Sequence, residues 1–289
     1  MRLEMLLGAM TNLETQEYGS PYEVIENIKY AKERGIDVLI GPEWSLTCPP
    51  GVFSKGMIKG KKISKVIDIL FNAPDYIEYA PRDAKKILIE KADMESDKFN
   101  DYPYIPHSKK EFEKILTAVA SASKNSGMLI YPGTAMFYDK DRILYNVMPV
   151  IKDGKVLKAV YKFNDGLGSK FNLEGSLMLY PSETSKDPDY SLSYGKDPII
   201  DFNGIKTSVE ICADAGILKE HGINNLDLQV LSSCGNSSTV SAVNNRGYIA
   251  VVDGFKEPEV KVIRKYMPRL KPVERNERMK IFSLEFYVD

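Results

Sequence analysis

Three side chains of this sequence could together act on a carbonyl group: the thiol of Cys212, the carboxylate of Glu43 and the ammonium of Lys162. A thiol attacks as the thiolate, and a free cysteine needs a nearby base or cation to react at neutral pH. Histidine is the usual base, but the chain has only two, His107 and His221. A carboxylate that takes the thiol proton and an ammonium that stabilises a substrate oxyanion would do the same work.

The three residues share a position relative to predicted secondary structure. Each follows directly on an apolar run that predicts a β-strand, and these runs are residues 36–40, 155–161 and 205–211. Taken singly, Cys212 is typical of a small buried residue, Glu43 of a solvated loop and Lys162 of an ordinary surface. Their common placement at strand ends favours one shared pocket.

Helices are predicted on either side of the first of these strands. Pro21 stands at the first helical position after an N-cap serine, and Gly35 ends that helix. A second helix starts near Ser108 and ends at Gly127. Further strands are predicted at 128–131, 144–151, 226–231, 248–252 and 281–288, with a hairpin turn at residues 153–154. Helices that alternate with strands, followed by hairpins, indicate an α/β fold.

The chain is interpreted as a single domain over residues 1–289. Residues 48–107 contain several prolines and short helix-like pieces, which predict a helical insertion or a lid over the pocket. Residues 255–289 are interpreted as a C-terminal arm. No internal repeat or low-complexity tract interrupts the sequence.

Three segments, in this order along the chain, resemble the catalytic blocks of the nitrilase, or carbon–nitrogen hydrolase, superfamily: residues 35–43, 160–162 and 209–214. Residues 125–163, with a Tyr-Asn-x-x-Pro-Val-Ile hairpin, also resemble that superfamily. The likeness therefore covers most of residues 1–254. Single blocks are weakly specific, but their combination and order are strongly specific.

This resemblance implies a four-layer α-β-β-α sandwich with a Glu-Lys-Cys triad, here Glu43, Lys162 and Cys212, that forms a thioester acyl-enzyme. It also implies a supporting role for Glu174, with Glu183 as the reserve. The backbone N–H of the residue after the nucleophile, Ala213, would join the lysine in binding the oxyanion. Family members often form homo-oligomers, so a dimer or a larger assembly is expected.

Three more residues could line the pocket: Trp44, Asp214 and Cys234. Trp44 could equally belong to the core. The sequence departs from the family after the cysteine, because Gly216 stands where an arginine is often found. The segment 233–248 is also too short for the long helix that family members usually have there.

Composition excludes several function classes. Thirty-nine basic residues nearly balance forty acidic ones, so no overall field favours a nucleic acid or a membrane as partner. Glu4 interrupts the short apolar run at the N-terminus, unlike in a secretory signal, so a cytoplasmic location is expected. Three cysteines without a Cys-x-x-Cys spacing, and few histidines, predict neither a metal nor any other cofactor.

The sequence thus predicts a cysteine-dependent hydrolase of non-peptide carbon–nitrogen bonds, acting on a small-molecule amide or N-carbamoyl compound. Two alternatives stay open. An acyltransferase would use the same acyl-enzyme, and a catalytically altered binding or regulatory protein would keep only the fold.

Overall fold

The computed structural model describes residues 2–11, 21–46, 107–138, 143–163, 178–180, 197–236, 238–254, 256–263 and 269–287. The elements are β1 (Arg2–Met10), α1 (Pro21–Glu33), β2 (Val38–Ile40), β3 (His107–Ser108), α2 (Lys109–Ala122), β4 (Leu129–Tyr131), β5 (Ala135–Tyr138), β6 (Ile143–Lys152), β7 (Lys155–Tyr161), β8 (Met178–Tyr180), β9 (Ile200–Phe202), β10 (Ile205–Ile211), α3 (Ile217–Glu220), β11 (Leu226–Ser233), β12 (Val243–Asp253), β13 (Glu259–Val262), β14 (Glu274–Arg275) and β15 (Met279–Tyr287). Apart from His107, the predicted insertion lies outside the described residues.

The strands form two sheets. The larger has the order β14-β15-β1-β2-β4-β6-β5-β3, with β7 and β8 both pairing with β6, and the smaller has the order β13-β12-β11-β10-β9. Each sheet contains three neighbouring parallel strands, β1-β2-β4 and β10-β11-β12. The carboxyl ends of parallel strands meet at one edge of a sheet, so each sheet collects several strand ends in one place.

Apolar side chains of the larger sheet divide between two cores according to the two-residue period of a strand. Val38 and Ile40 of β2 point towards the smaller sheet and share a core with Val209 of β10. Leu39, between them, points the other way and packs with Ile28 of α1. The buried order is therefore helices, larger sheet, smaller sheet.

In the described part of the chain, the short helix α3 and adjoining loops cover the outer face of the smaller sheet, and no long helix does so. The buried carboxylate of Glu210 on β10 accepts hydrogen bonds from the backbone N–H groups of Gly216 and Leu218, each at 3.0 Å, which places α3 against the sheet. Gln229 of β11 donates to the same carboxylate at 2.9 Å. Burial raises the pKa of Glu210, and its hydrogen bonds oppose that effect. The predicted α-β-β-α sandwich is confirmed, with α3 and adjoining loops as the described part of its fourth layer.

Most element boundaries follow the sequence signals. Helix α1 begins at Pro21, and the hairpin between β6 and β7 turns at Asp153 and Gly154, which have φ values of 47° and 79°. Strand β12 is longer than predicted, because it begins at Val243 instead of residue 248. Its first half contains polar residues at 244–246, and its register against β11 shifts there, so no apolar alternation marks it in the sequence.

The loops that follow β2 and β4 pass unusually close to each other at Gly133. A Cβ atom at this position would lie 2.1 Å from the backbone oxygen of Pro42 and 2.7 Å from Cβ of Ser45. The φ of Gly133 is +92°, which side-chain-bearing residues rarely adopt. A glycine here lets the segment that carries Glu43 pack directly on the neighbouring strand end.

We predict that Gly133→Ala lowers the free energy of unfolding by about 3 kcal/mol or more, since a backbone clash adds to an unfavourable φ. Gly35→Ala is the matched control, because Gly35 also has a positive φ of +64° but a Cβ there would meet nothing within 4 Å. The control should lose only about 1 kcal/mol. Urea unfolding followed by circular dichroism measures both values, and equal losses would contradict this account of the loop contact.

Candidate active site

Glu43 lies in the loop after β2, held there by bonds to both sheets. Its backbone N–H donates to the carbonyl of Ser233 at the end of β11, at 3.2 Å. The next N–H, of Trp44, donates to Oγ1 of Thr134 at 3.0 Å. The Glu43 side chain is only 1% exposed. These contacts direct the carboxylate inwards, between the two sheets.

Lys162 follows β7 and forms an ion pair with that carboxylate. Its Nζ atom lies 2.7 Å from Oε1 of Glu43, and its side chain is 3% exposed. The Trp44 ring, which is itself buried, has its centroid 5.5 Å from Nζ. Each of these two buried charges is stabilised by the other, because a buried charge without a partner is strongly unfavourable.

Cys212 stands at the end of β10 in a backbone conformation that few side-chain-bearing residues adopt. Its φ is +45°, and it opens a short 3-10 turn, Cys212–Asp214. The conformation is stabilised by two hydrogen bonds to its carbonyl, from the backbone of Ala215 at 3.1 Å and from the Asn236 side chain at 2.9 Å. A positive φ directly after a strand turns the thiol sharply out of the sheet.

Asp214 joins the turn after Cys212 to the loop after Lys162. Its buried Oδ2 atom accepts a hydrogen bond from the backbone N–H of Phe163, the residue after the lysine, at 2.9 Å. The end of β10 in one sheet is thereby fixed to the end of β7 in the other. This contact is the structural role of Asp214, which sequence analysis could assign only to the pocket in general.

The charges of the site determine its protonation. Burial alone would lower the pKa of Lys162, but the charge of Glu43 and its hydrogen bond outweigh that effect and raise the pKa, so the ammonium persists. Burial and the charge of Glu43 raise the pKa of Cys212 to about 12, although Lys162 opposes them. At neutral pH the site therefore holds a charged ammonium at Lys162 and a neutral thiol at Cys212.

The two oxygens of Glu43 differ in their partners. Oε1 accepts from Lys162 Nζ and from Asn146 Nδ2, the latter at 3.0 Å. Oε2 is buried and has no hydrogen-bond partner among the described residues. An acceptor with free lone pairs next to a neutral thiol is chemically suited to take up its proton.

The structure places Glu43, Lys162 and Cys212 at three strand ends, where Glu43 and Lys162 form an ion pair and both act electrostatically on the Cys212 thiol. Ala213 follows the cysteine and is exposed, and Cys234 presents its carbonyl oxygen 3.8 Å from the Cys212 sulfur. Glu174 and the reserve Glu183 lie outside the described residues, so their roles stay predictions. Sequence analysis assigns no role to Asn146. Its polar amide within an otherwise apolar strand is the feature that could have indicated a buried polar contact.

The described residues contain neither a candidate metal site nor a candidate membrane-spanning helix. Across the parts of the chain that the structure covers, no group of three or more His, Cys, Asp or Glu side chains is arranged to hold a metal ion. None of the helices in those parts combines the length and apolar character needed to cross a membrane.

No protein-family model and no curated protein matches the sequence. Solved structures do match. Nit3 of Saccharomyces cerevisiae, a member of branch 10 of the nitrilase superfamily, aligns with a TM-score of 0.50 and 15% sequence identity over 98% of this chain and 89% of that chain. The amidase of Nesterenkonia sp. AN1, as a double mutant in complex with acrylamide, aligns with a TM-score of 0.51 and 10% identity over 98% of this chain and 91% of that chain.

A glutamine-dependent NAD(+) synthetase from Cytophaga hutchinsonii also aligns, with a TM-score of 0.48 and 11% identity over 99% of this chain. The chain spans only 43% of that protein. The likeness to Nit3 and to the amidase concerns the fold, since few residues are identical. The chain therefore has a nitrilase-type α/β sandwich fold.

Proposed function

We propose that this chain is a thiol-dependent hydrolase of non-peptide carbon–nitrogen bonds, which cleaves a small-molecule amide or N-carbamoyl compound through a thioester. The observation that carries the proposal is the arrangement of Glu43. One carboxylate oxygen is held by Lys162 Nζ at 2.7 Å, and the other has no donor among the described residues and lies in a site shared with the Cys212 thiol.

In the first step the Cys212 sulfur attacks the substrate carbonyl carbon while Glu43 takes the thiol proton. Because the thiol is neutral at rest, proton removal must accompany the attack, which is general base catalysis. A carbon–sulfur bond forms and the carbonyl π electrons move to oxygen. The Lys162 ammonium holds Oε1 of Glu43 at 2.7 Å, which leaves Oε2 to take the proton.

The resulting oxyanion needs donors that are already in place. The Lys162 ammonium and the backbone N–H of Ala213, which follows the nucleophile, are the groups assigned to it. Each such donor is worth about 10²–10³-fold in rate at sites of this kind. The positive charge of Lys162 is well suited, because it is buried beside the Trp44 ring and away from competing water.

Collapse of the intermediate expels the amine. Glu43, now protonated, gives its proton to the leaving nitrogen as the carbon–nitrogen bond breaks, and a thioester to Cys212 remains. Water then attacks the thioester with Glu43 again as base, and release of the acid regenerates the thiol. An amine in place of that water would give acyl transfer, so the two activities share the first half of the reaction.

The expected test of turnover uses a panel of small amides and N-carbamoyl compounds. Wild-type protein should release amine or ammonia, and Cys212→Ala should reduce kcat/KM by at least about 10³-fold, because the attacking sulfur is lost. Peptide mass spectrometry of quenched reactions should find the acyl group on Cys212. Undiminished turnover in Cys212→Ala would refute the assignment, and product formed only with added amines would make acyl transfer the activity.

A second prediction separates the thiol's resting state from its role in turnover. In protein labelled with [3-¹³C]cysteine, the Cys212 signal should stay that of a neutral thiol between about pH 6 and about pH 10, where an ordinary thiol titrates. Glu43→Gln removes a negative charge, so it should lower the pKa of Cys212. The same substitution should reduce turnover by about 10²–10⁴-fold, because the base is lost.

Cys212→Ser assigns the signal, and the folded state of each variant is checked by its melting temperature. A wild-type midpoint near the ordinary value of about 8.5 would contradict the resting state described here. Retention of full turnover by Glu43→Gln would contradict the role of the carboxylate.

A further inference from the structure

Asn146 forms a hydrogen bond with Glu43 but does not belong to the proposed triad. Its Nδ2 donates to Oε1 of Glu43 at 3.0 Å, on the same oxygen that binds Lys162. Its backbone oxygen accepts the N–H of Lys162 at 2.8 Å. One residue of β6 therefore contacts both members of the ion pair, one through its side chain and the other through its main chain.

We propose that Asn146 is a positioning residue, which holds the Glu43 carboxylate so that one oxygen is occupied by two donors and the other stays available to the thiol of Cys212. This inference rests on the function proposed above and deepens it. Asn146 itself touches neither the sulfur nor, in this assignment, the substrate.

Glu43 needs the Asn146 amide as a second donor because the Lys162 ammonium alone does not orient the carboxylate. A lysine ammonium has three rotatable N–H donors and little directional preference, so on its own it can bridge both oxygens of a carboxylate. A bridged carboxylate has no oxygen left with full capacity to accept a proton. The N–H bonds of the Asn146 amide have fixed directions in one plane, so its hydrogen bond to Oε1 limits the orientation of the carboxylate.

Asn146 is well placed for such a task. It is 1% exposed and lies within the strand pairs β5-β6 and β6-β7, opposite Met136 and next to the pair Val147 and Tyr161. Backbone hydrogen bonds on both sides prevent the side chain from following Glu43 if that residue moves. The carboxylate is thus oriented from a rigid part of the larger sheet.

Stability alone does not favour asparagine at this position. Its Oδ1 atom is buried and has no hydrogen-bond partner among the described residues. An unsatisfied buried acceptor is unfavourable, and an apolar side chain of similar size would avoid that penalty. Such a side chain would lack the amide nitrogen, which donates to Glu43.

The test compares Asn146→Leu and Asn146→Asp, both close in size to asparagine, with Thr207→Val. Thr207 is also buried within a central strand and its hydroxyl bonds to Tyr131 at 3.1 Å, so Thr207→Val removes a buried hydrogen bond elsewhere in the core. A purely structural role predicts the same behaviour for all three variants, once unfolding measurements have shown that each is folded.

Two readouts are expected to change only in the Asn146 variants. At pH 7 the rate at which iodoacetamide alkylates the Cys212 thiol should fall about 10-fold in Asn146→Leu, since Oε2 of Glu43 is no longer held available to take the thiol proton. The rate should fall further in Asn146→Asp, because the added negative charge disfavours the thiolate. With an amide substrate, kcat should fall by about 10- to 100-fold while KM stays unchanged.

The two readouts distinguish failure of this inference from failure of the proposed function. If the wild-type protein cleaves no amide, the function fails, and the alkylation rate of Cys212 still decides the role of Asn146. If amides are cleaved but the Asn146 variants match Thr207→Val in both the alkylation rate and kcat, the positioning role is refuted and the function stands.

Discussion

The buried ion pair between Lys162 and Glu43 is the interaction on which the site depends. Removing one member of such a pair leaves an uncompensated charge in a dry interior, at a cost of about 3–5 kcal/mol, so neither residue is free to vary alone. Burial raises the pKa of the neighbouring Cys212 thiol, the Glu43 carboxylate raises it further and the Lys162 ammonium lowers it. Stability and chemistry are therefore linked through the same 2.7 Å contact.

The pair is held in place by strand ends from both sheets. Glu43 is bonded through its backbone to β11, and the loop after β7 is bonded to Asp214 after β10. Ser232 adds a third contact, from its hydroxyl to the carbonyl of Gly41 at 2.9 Å. Because these contacts cross from one sheet to the other, the packing of the two sheets against each other sets the geometry of the site.

Much of the fold follows from local sequence signals. Two positive-φ residues at the β6-β7 turn, a proline at the start of α1 and apolar runs of two-residue period are all visible in the sequence. The positions of Glu43, Lys162 and Cys212 could be predicted because each directly follows such a run.

Other features depend on contacts between distant segments. The role of Asp214 requires the end of β7 to lie beside it, and that of Asn146 requires β2 and β6 to converge on one carboxylate. Neither distance is encoded by spacing along the chain. The longer β12 was missed for a related reason, since its polar first half is stabilised by a bulged pairing with β11 and not by an apolar alternation.

Strand β1 pairs with β15 along its whole length, from Arg2 opposite Tyr287 to Met10 opposite Met279. The two strands are separated by almost the entire chain, so the larger sheet can be completed only after a very long loop has closed. Contacts of this range slow folding, and they leave a strand edge unpaired until the late segment has docked. During synthesis, the edge of β1 that pairs with β15 therefore stays without its native partner until residues 279–287 have left the ribosome.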